Sequence, residues 1–192
     1  MKVWSGSAWA EKPAKVWSGS AWVTKPVKVW TGSTWKTTGV VAPSGPTSRL
    51  LVSYTPGTDR NDFDGEVGVR LGIGAAGIPI TWLGARSNGI GGTRTLKLYE
   101  WFSGTVQRTA TINYTGVATG VYAWTAISPI TLAANGYYAL LMVVVAYDGN
   151  TWKNPGPVSF APSIVNVYDS YYAGGLQTGG QNSSFIGLDL GW

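Results

Sequence analysis

Five oxygen-bearing side chains, Asp59, Asn61, Asp62, Asp64 and Glu66, fall close together in the stretch TDRNDFDGE. Ca²⁺, a hard cation that collects oxygen ligands, is the ion this chemistry suits. The spacing does not follow the helix-loop-helix calcium motif, because setting Asp62 and Asp64 as its third and fifth ligands puts Arg60 at the first. A structural Ca²⁺ on Asp59, Asp62 and Asp64 therefore stands as one expectation, and a solvated polar turn as the plainer one. The remaining acids of the body, Glu100, Asp148, Asp169 and Asp189, are far apart in sequence. Glycoside hydrolysis needs two carboxyl groups flanking one bond, and no such pair is legible here. The chain has no Cys and no His, so thiol nucleophiles, imidazole bases, the usual zinc clusters and disulfides are all excluded. The glycine pairs at 91–92, 174–175 and 179–180 lack the lysine and the strand-to-helix setting of a phosphate loop and read as corners. Catalysis is not expected.

Binding is a better match to the side chains available. Trp152, Asn154, Tyr168, Tyr171 and Tyr172 lie among small residues between Asp148 and Gly180. Flat aromatic faces suit the C–H faces of pyranose rings, and a neighbouring amide can fix a hydroxyl. The stretch has little regular pattern and reads as a long loop, the kind of segment that carries function in compact domains. The expectation is a glycan site, against the simpler reading of a tyrosine-rich loop packed over one end of the fold or against another subunit.

A second aromatic set is periodic. The segments KVWSGSAWAEKPA (2–14), KVWSGSAWVTKPV (15–27) and KVWTGSTWKTTGV (28–40) repeat every 13 residues and place Trp4, Trp9, Trp17, Trp22, Trp30 and Trp35 in three bracketing pairs. Each unit reads as a β-hairpin, two β-favouring runs meeting at Ser-Gly-Ser or Thr-Gly-Ser, with glycine free to take positive φ. A four-residue loop sets Trp4 opposite Trp9, whereas a two-residue loop sets Lys2 there; the sequence leaves both open. Such hairpins are too small to hide six indoles, so these residues are expected to be buried by assembly. Residues 1–40 hold six Lys and one Glu, a net +5, while residues 41–192 hold eight bases and eight acids. The excess could attract an anionic partner, but lysines at repeat spacing also blunt strand edges. With a neutral body behind the repeats, no nucleic-acid groove is expected.

The elements that position these groups are all strands. The chain has 27 Gly and 10 Pro in 192 residues, is rich in Val, Thr, Tyr and Trp, and shows no helical periodicity. Alternating runs predict strands over 49–55, 66–73, 78–86, 93–101, 106–114, 122–126, 137–147 and 185–192. In TRTLKLYEW, Leu96 and Leu98 face one way and Thr95, Lys97 and Tyr99 the other. The fold expected is all-β, an antiparallel jelly-roll β-sandwich over 49–192, joined by a linker at 41–48 to the arm of short β-hairpin repeats at 1–40. The longest apolar run, ALLMVVVA (139–146), is a buried strand and too short to span a bilayer as a helix. No charged-then-apolar leader precedes the repeats, so the chain is expected to be soluble and made in the cytosol.

Two resemblances extend this. From Glu66 onward, EVGVRLGIGAAGIPITWLGAR, TLKLYEWFSGTVQRTATINYTG and WTAISPITLAANGYYALL resemble a jelly-roll module of unknown function in bacterial cell-surface proteins. That likeness rests on turn and core residues and implies a fold, with a structural calcium as a frequent companion. The repeat, K-V-W-x-G-S-x-W, resembles tandem segments of minor tail and fibre-like proteins of phages that infect actinobacteria. A phage protein reaches the outside by lysis, which reconciles a surface-protein composition with the absence of an export signal. The expected function is a non-enzymatic virion protein, a minor tail or fibre-like protein. Its arm contacts other virion proteins or forms a homotrimer, and its jelly roll faces a host-envelope glycan without inserting in the membrane. A capsid decoration or head-fibre protein and a carbohydrate-binding module of a bacterial surface protein are the alternatives.

Overall fold

Period-two alternation of apolar and polar residues builds nearly every element. The computed structural model describes residues 2–4, 6, 9–11, 15–24, 27–30, 32, 35–38, 45–55, 57–147, 152–153, 158–172, 175–181 and 187–192. The chain divides into two compact units, 1–44 and 45–192.

The first unit holds three antiparallel hairpins, one per repeat: β1 (Lys2–Trp4) with β2 (Trp9–Glu11), β3 (Lys15–Trp17) with β4 (Trp22–Thr24), and β5 (Val27–Trp30) with β6 (Trp35–Thr38). The register left open by the sequence is the four-residue loop, with Trp4 opposite Trp9, Trp17 opposite Trp22 and Trp30 opposite Trp35. Gly6, Gly19 and Gly32 take φ of 96°, 97° and 94°, a region that side chains disfavour, which explains why each turn carries glycine at the same place.

The second unit is an antiparallel β-sandwich. Its strands are β7 (Leu51–Tyr54), β8 (Asp59–Arg60), β9 (Gly65–Ile73), β10 (Ile78–Arg86), β11 (Thr93–Glu100), β12 (Val106–Asn113), β13 (Tyr122–Leu132), β14 (Tyr137–Val144), β15 (Trp152–Lys153), β16 (Val158–Phe160), β17 (Ile164–Tyr172), β18 (Leu176–Gln181) and β19 (Leu188–Gly191). One sheet has six strands in the order β12-β11-β14-β9-β17-β18, and the other has three, β13-β10-β19. The chain entering β7 runs beside β19, with Leu50 N donating to Leu190 O and Ser48 and Trp192 exchanging backbone bonds, and β7 in turn pairs with β16. Val67, Val69, Leu71 and Ile73 of β9, Leu96 and Leu98 of β11 and Leu140 and Met142 of β14 meet Ile80, Leu83, Leu132, Leu188 and Leu190 in one buried core. Burial of these side chains, about 1.5 to 3 kcal/mol each, is what closes the two sheets face to face.

All eight predicted body strands have a counterpart among the described residues, and one runs well past its predicted end. β13 continues to Leu132 through Pro129, beyond the predicted end at 126. It is an edge strand, where proline is tolerated, and its pairing with β10 breaks register between Ile80 and Trp82. Arg108 takes up the carbonyls left at this irregularity, donating from Nε to Ser128 O and from Nη2 to Pro129 O, each at 2.7 Å.

The long loop expected between Asp148 and Gly180 is corrected: β15 to β18 fall within or across it, and β17 is a nine-residue strand paired along the edge of β9. Tyrosines and a glycine-rich turn disguised a hairpin whose alternation has polar residues on one side. The stretch read as a linker also ends early. Thr47 N and Ser48 N donate to Trp192 O, and Gly45 lies against the Trp124 ring, so 45–48 belong to the sandwich.

Candidate functional site

Two carboxylates of the acidic turn are taken up by protein partners. Arg60 donates from Nε and Nη2 to the two carboxylate oxygens of Asp62, both at 2.9 Å, and this fork holds the Asp62 carboxyl below its usual range. Asp64 Oδ1 accepts from Ala146 N at 2.7 Å, and Asp59 sits in β8 opposite Lys153. Among the described residues no group of three Asp, Glu, His or Cys side chains is close enough to hold a metal ion.

Glu66, the last acid of that stretch, has a different setting. It is the second residue of β9, on the outer face of the six-stranded sheet, is buried, and accepts from Lys97 Nζ at 2.5 Å and from the Tyr99 hydroxyl at 2.8 Å. Lys97 is two pairings away, through Leu141 and Gly68 on β14 and β9. Its ammonium is raised above its ordinary pKa by the bond to Glu66. Tyr99 is pushed up to about 12, first by burial and then by the same carboxylate. Strand alternation puts Lys97 and Tyr99 on one face, but their meeting with Glu66 depends on β14 lying between β11 and β9, which no local pattern announces.

Of the five residues of the expected glycan site, the structure describes the side chains of two, Tyr168 and Tyr172. Tyr168 and Tyr172 share the outer face of β17, opposite Arg70 and Glu66 of β9. Trp152 belongs to β15, where its backbone pairs with Arg60, and the backbone of Tyr171 sits opposite Val67. Asn154 lies outside the described residues, as do the side chains of Trp152 and Tyr171.

What the sheet does assemble is an aromatic cluster around Arg70. The Arg70 Cζ lies 4.1 Å from the ring centroid of Tyr168, 4.6 Å from Trp101 and 5.0 Å from Tyr137. Register explains the meeting, since Tyr99, Ala139, Arg70 and Tyr168 stand in one row across β11, β14, β9 and β17, with Tyr137 opposite Gly72 one step along. Beside it Phe102, 77% exposed, packs edge-on against Tyr137 with centroids 5.6 Å apart. The Phe102 turn is tied down by Glu100, whose carboxylate accepts from Phe102 N at 3.2 Å and Ser103 N at 2.7 Å. These bonds, Ser103's foremost, hold the Glu100 carboxyl below its usual range. Sequence reading missed Arg70, Trp101, Phe102 and Tyr137 because they come from two strands distant in sequence and a turn. The one local signal was the sequence Trp101-Phe102 at a turn, where exposed aromatics are uncommon.

In the arm, the described side chains are exposed. Trp17, Trp22 and Trp30 are 52%, 64% and 51% exposed, and the Trp17 and Trp22 rings meet at 5.6 Å, tilted by 59°. Val16 and Val23, opposite each other on the other face of the same hairpin, are exposed as well. The turn is closed by Ser18, whose N and Oγ both donate to Ala21 O at 2.9 Å. The side chains of Trp4, Trp9 and Trp35 lie outside the described residues.

No protein-family model matches the chain, and no curated protein or solved structure matches it.

Proposed function

We propose that the chain is a non-enzymatic structural protein of a bacteriophage particle, a minor tail or fibre-like protein whose arm fastens it to other virion proteins or to copies of itself. The observation that carries this reading is the exposure of Trp17 and Trp22, with Val16 and Val23 behind them on a hairpin that hides neither face, and of Trp30 on the next hairpin. A two-stranded hairpin is marginal alone, and a ribbon apolar on both sides gains most by being covered on both. The body supplies a complete core of its own and is neutral in charge. Such a division suits a folded head carried outward by a fastening arm. A homotrimer is the assembly favoured, with three arms interleaving their indoles.

The body is read as a jelly roll that faces host-envelope glycan. Numbering the eight predicted strands along the chain, one side runs first, eighth, third, sixth (β7, β19, β10, β13). The other runs second, seventh, fourth, fifth (β9, β14, β11, β12). That order is what two interleaved Greek keys produce, and β15 to β18 are then an insertion before the final strand.

Deleting residues 1–40 tests the function. The expected outcome is a body that melts cooperatively as a monomer in sedimentation and no longer enters particles when supplied in a host making the other virion proteins. A truncated chain that keeps the oligomeric mass of the full chain would falsify the role of the arm.

A further inference from the structure

We propose that residues 45–51 form a force-bearing clamp, the segment through which tension on a fastened arm enters the sandwich and is shared with β19. It rests on the reading that the arm is fixed to the particle and the body reaches outward from it. Backbone bonds run the length of the contact. Thr47 N and Ser48 N donate to Trp192 O at 3.0 and 3.1 Å, Trp192 N donates to Ser48 O at 3.0 Å, and Leu50 N donates to Leu190 O at 2.9 Å. Thr47 Oγ1 adds a further bond to Trp192 O, and Asp189 accepts from both Arg49 and Leu51 N.

The direction of pull decides what this contact can bear. Arg49 stands opposite Gly191, Gly191 opposite Trp82 and Leu188 opposite Ala85, so β10 runs parallel to 47–54 and its far end leads into the turn at 87–92. Gly45 therefore enters at one end of the sandwich and Ile90 lies at the other. Tension between those ends runs along the strand, and antiparallel ladder bonds stand perpendicular to it, so they are loaded together. Each arm hairpin is loaded differently. Drawn by its two ends, the second one meets the load one pair at a time, Lys15 with Thr24 first. The hairpins, marginal by themselves, open before the body does.

Side chains brace the clamp. Arg49 Cζ lies 4.2 Å from the ring centroid of Tyr122 while Nε donates to Asp189, so one side chain ties the entering strand both to β19 and to β13. Tyr122 stacks in turn on Trp124, with centroids 5.6 Å apart. Glycines let these groups close on one another. A Cβ would come within 2.3 Å of the Trp124 ring at Gly84 and within 2.9 Å at Gly45, and one at Gly191 would meet Pro46 at 2.3 Å. Side chains are thus absent from three separate segments at the points where the entering chain, and the ring beside it, press on β10 and β19. A linker that merely joins two units needs no such seating.

The test is single-molecule force spectroscopy on the full chain, which has no Cys and so takes thiol handles at chosen sites. Handles at Lys2→Cys and Ile90→Cys pull through the clamp. Handles at Ala134→Cys and Ile90→Cys pull between the same two ends with the clamp outside the path, since Ile78 opposite Leu132 sets the turn at 133–136 at the end where Gly45 enters. The first mounting should give short steps as the hairpins open, then one long step as the sandwich unfolds. Arg49→Ala should shorten the time to the long step at constant force roughly tenfold in the first mounting and less than about threefold in the second, and Thr47→Val should act in the same sense. Equal shortening in both mountings overturns the clamp, because Arg49 then supports the fold as a whole. Release of 45–51 as a separate short step ahead of the long one overturns it too. Failure of the virion reading shows elsewhere, as arm-deleted chains that still enter particles.

Discussion

Asp189 is a buried acid whose role is structural. Its carboxylate accepts from Arg49 Nε at 2.6 Å, from Leu51 N at 2.9 Å and from Leu190 N at 2.8 Å, and so ties β19 to the chain entering β7. Burial pushes this carboxyl up, and Arg49 with the two amides pulls the other way. Arg49 is partly open to water, but removing the carboxylate leaves the amides of Leu51 and Leu190 without their acceptor, so Asp189→Ala should cost about 1 to 3 kcal/mol in urea unfolding. The Lys97–Glu66–Tyr99 group gives a second residue-scale expectation. Lys97 and Tyr99 hold their protons more tightly in the folded chain than at their ordinary values of 10.5 and 10.0. Their contribution is therefore fully present below about pH 10 and is lost as pH climbs through the folded values, with Tyr99 at about 12. The melting temperature should fall over that alkaline range, and Tyr99→Phe should flatten the fall. Tyr114 and Tyr122, also pushed up by burial, keep part of it in the variant. An unchanged alkaline slope in Tyr99→Phe would remove this group as a cause. None of these partnerships was legible in the sequence: Asp189 was an isolated acid, and Glu66 was grouped with its neighbours in the acidic turn.

At the scale of elements, the repeats were the most legible part of the chain, because each hairpin is closed by residues within one period. Only the register needed the structure. Trp17 opposite Trp22 follows from a loop of Ser18 to Ala21, and the positive φ of Gly19 is what permits that loop. Replacing Gly6, Gly19 and Gly32 together by Ala should strain each turn by about 1 to 3 kcal/mol. The paired-indole couplet in far-ultraviolet circular dichroism should weaken and oligomeric mass should fall, while the body keeps its melting transition. A couplet of undiminished intensity would argue that the turns do not depend on glycine. β17 was the least legible element, because its outward row of Asn166, Tyr168 and Tyr172 gave the composition of a loop. It is a strand because β9 offers it a complete edge from Glu66 to Ile73. The extension of β13 past Pro129 has the same cause, an edge position and an arginine from β12 waiting for the freed carbonyls.

At the scale of the whole molecule, the division into an arm and a sandwich matches the division of charge, with the +5 excess on residues 1–40. The melting transition of the body should accordingly be the same with and without the arm, read by calorimetry on the full chain and on the chain lacking 1–40. A lowered transition would mean that the arm supports the body's core. By itself the sequence determined the all-β class, the eight principal strands and the three hairpins, because period-two alternation, repeat spacing and turn glycines are local properties of the chain. It also excluded thiol and imidazole chemistry through composition. Only the tertiary structure decided which strands are neighbours, and the side-chain clusters follow from that. Glu66 meets Lys97 and Tyr99, and Arg70 meets Trp101, Tyr137 and Tyr168, because β14 and β9 lie between strands distant in sequence. Cross-strand pairing at long separation is set by burial of one shared core, and no short stretch of residues contains it.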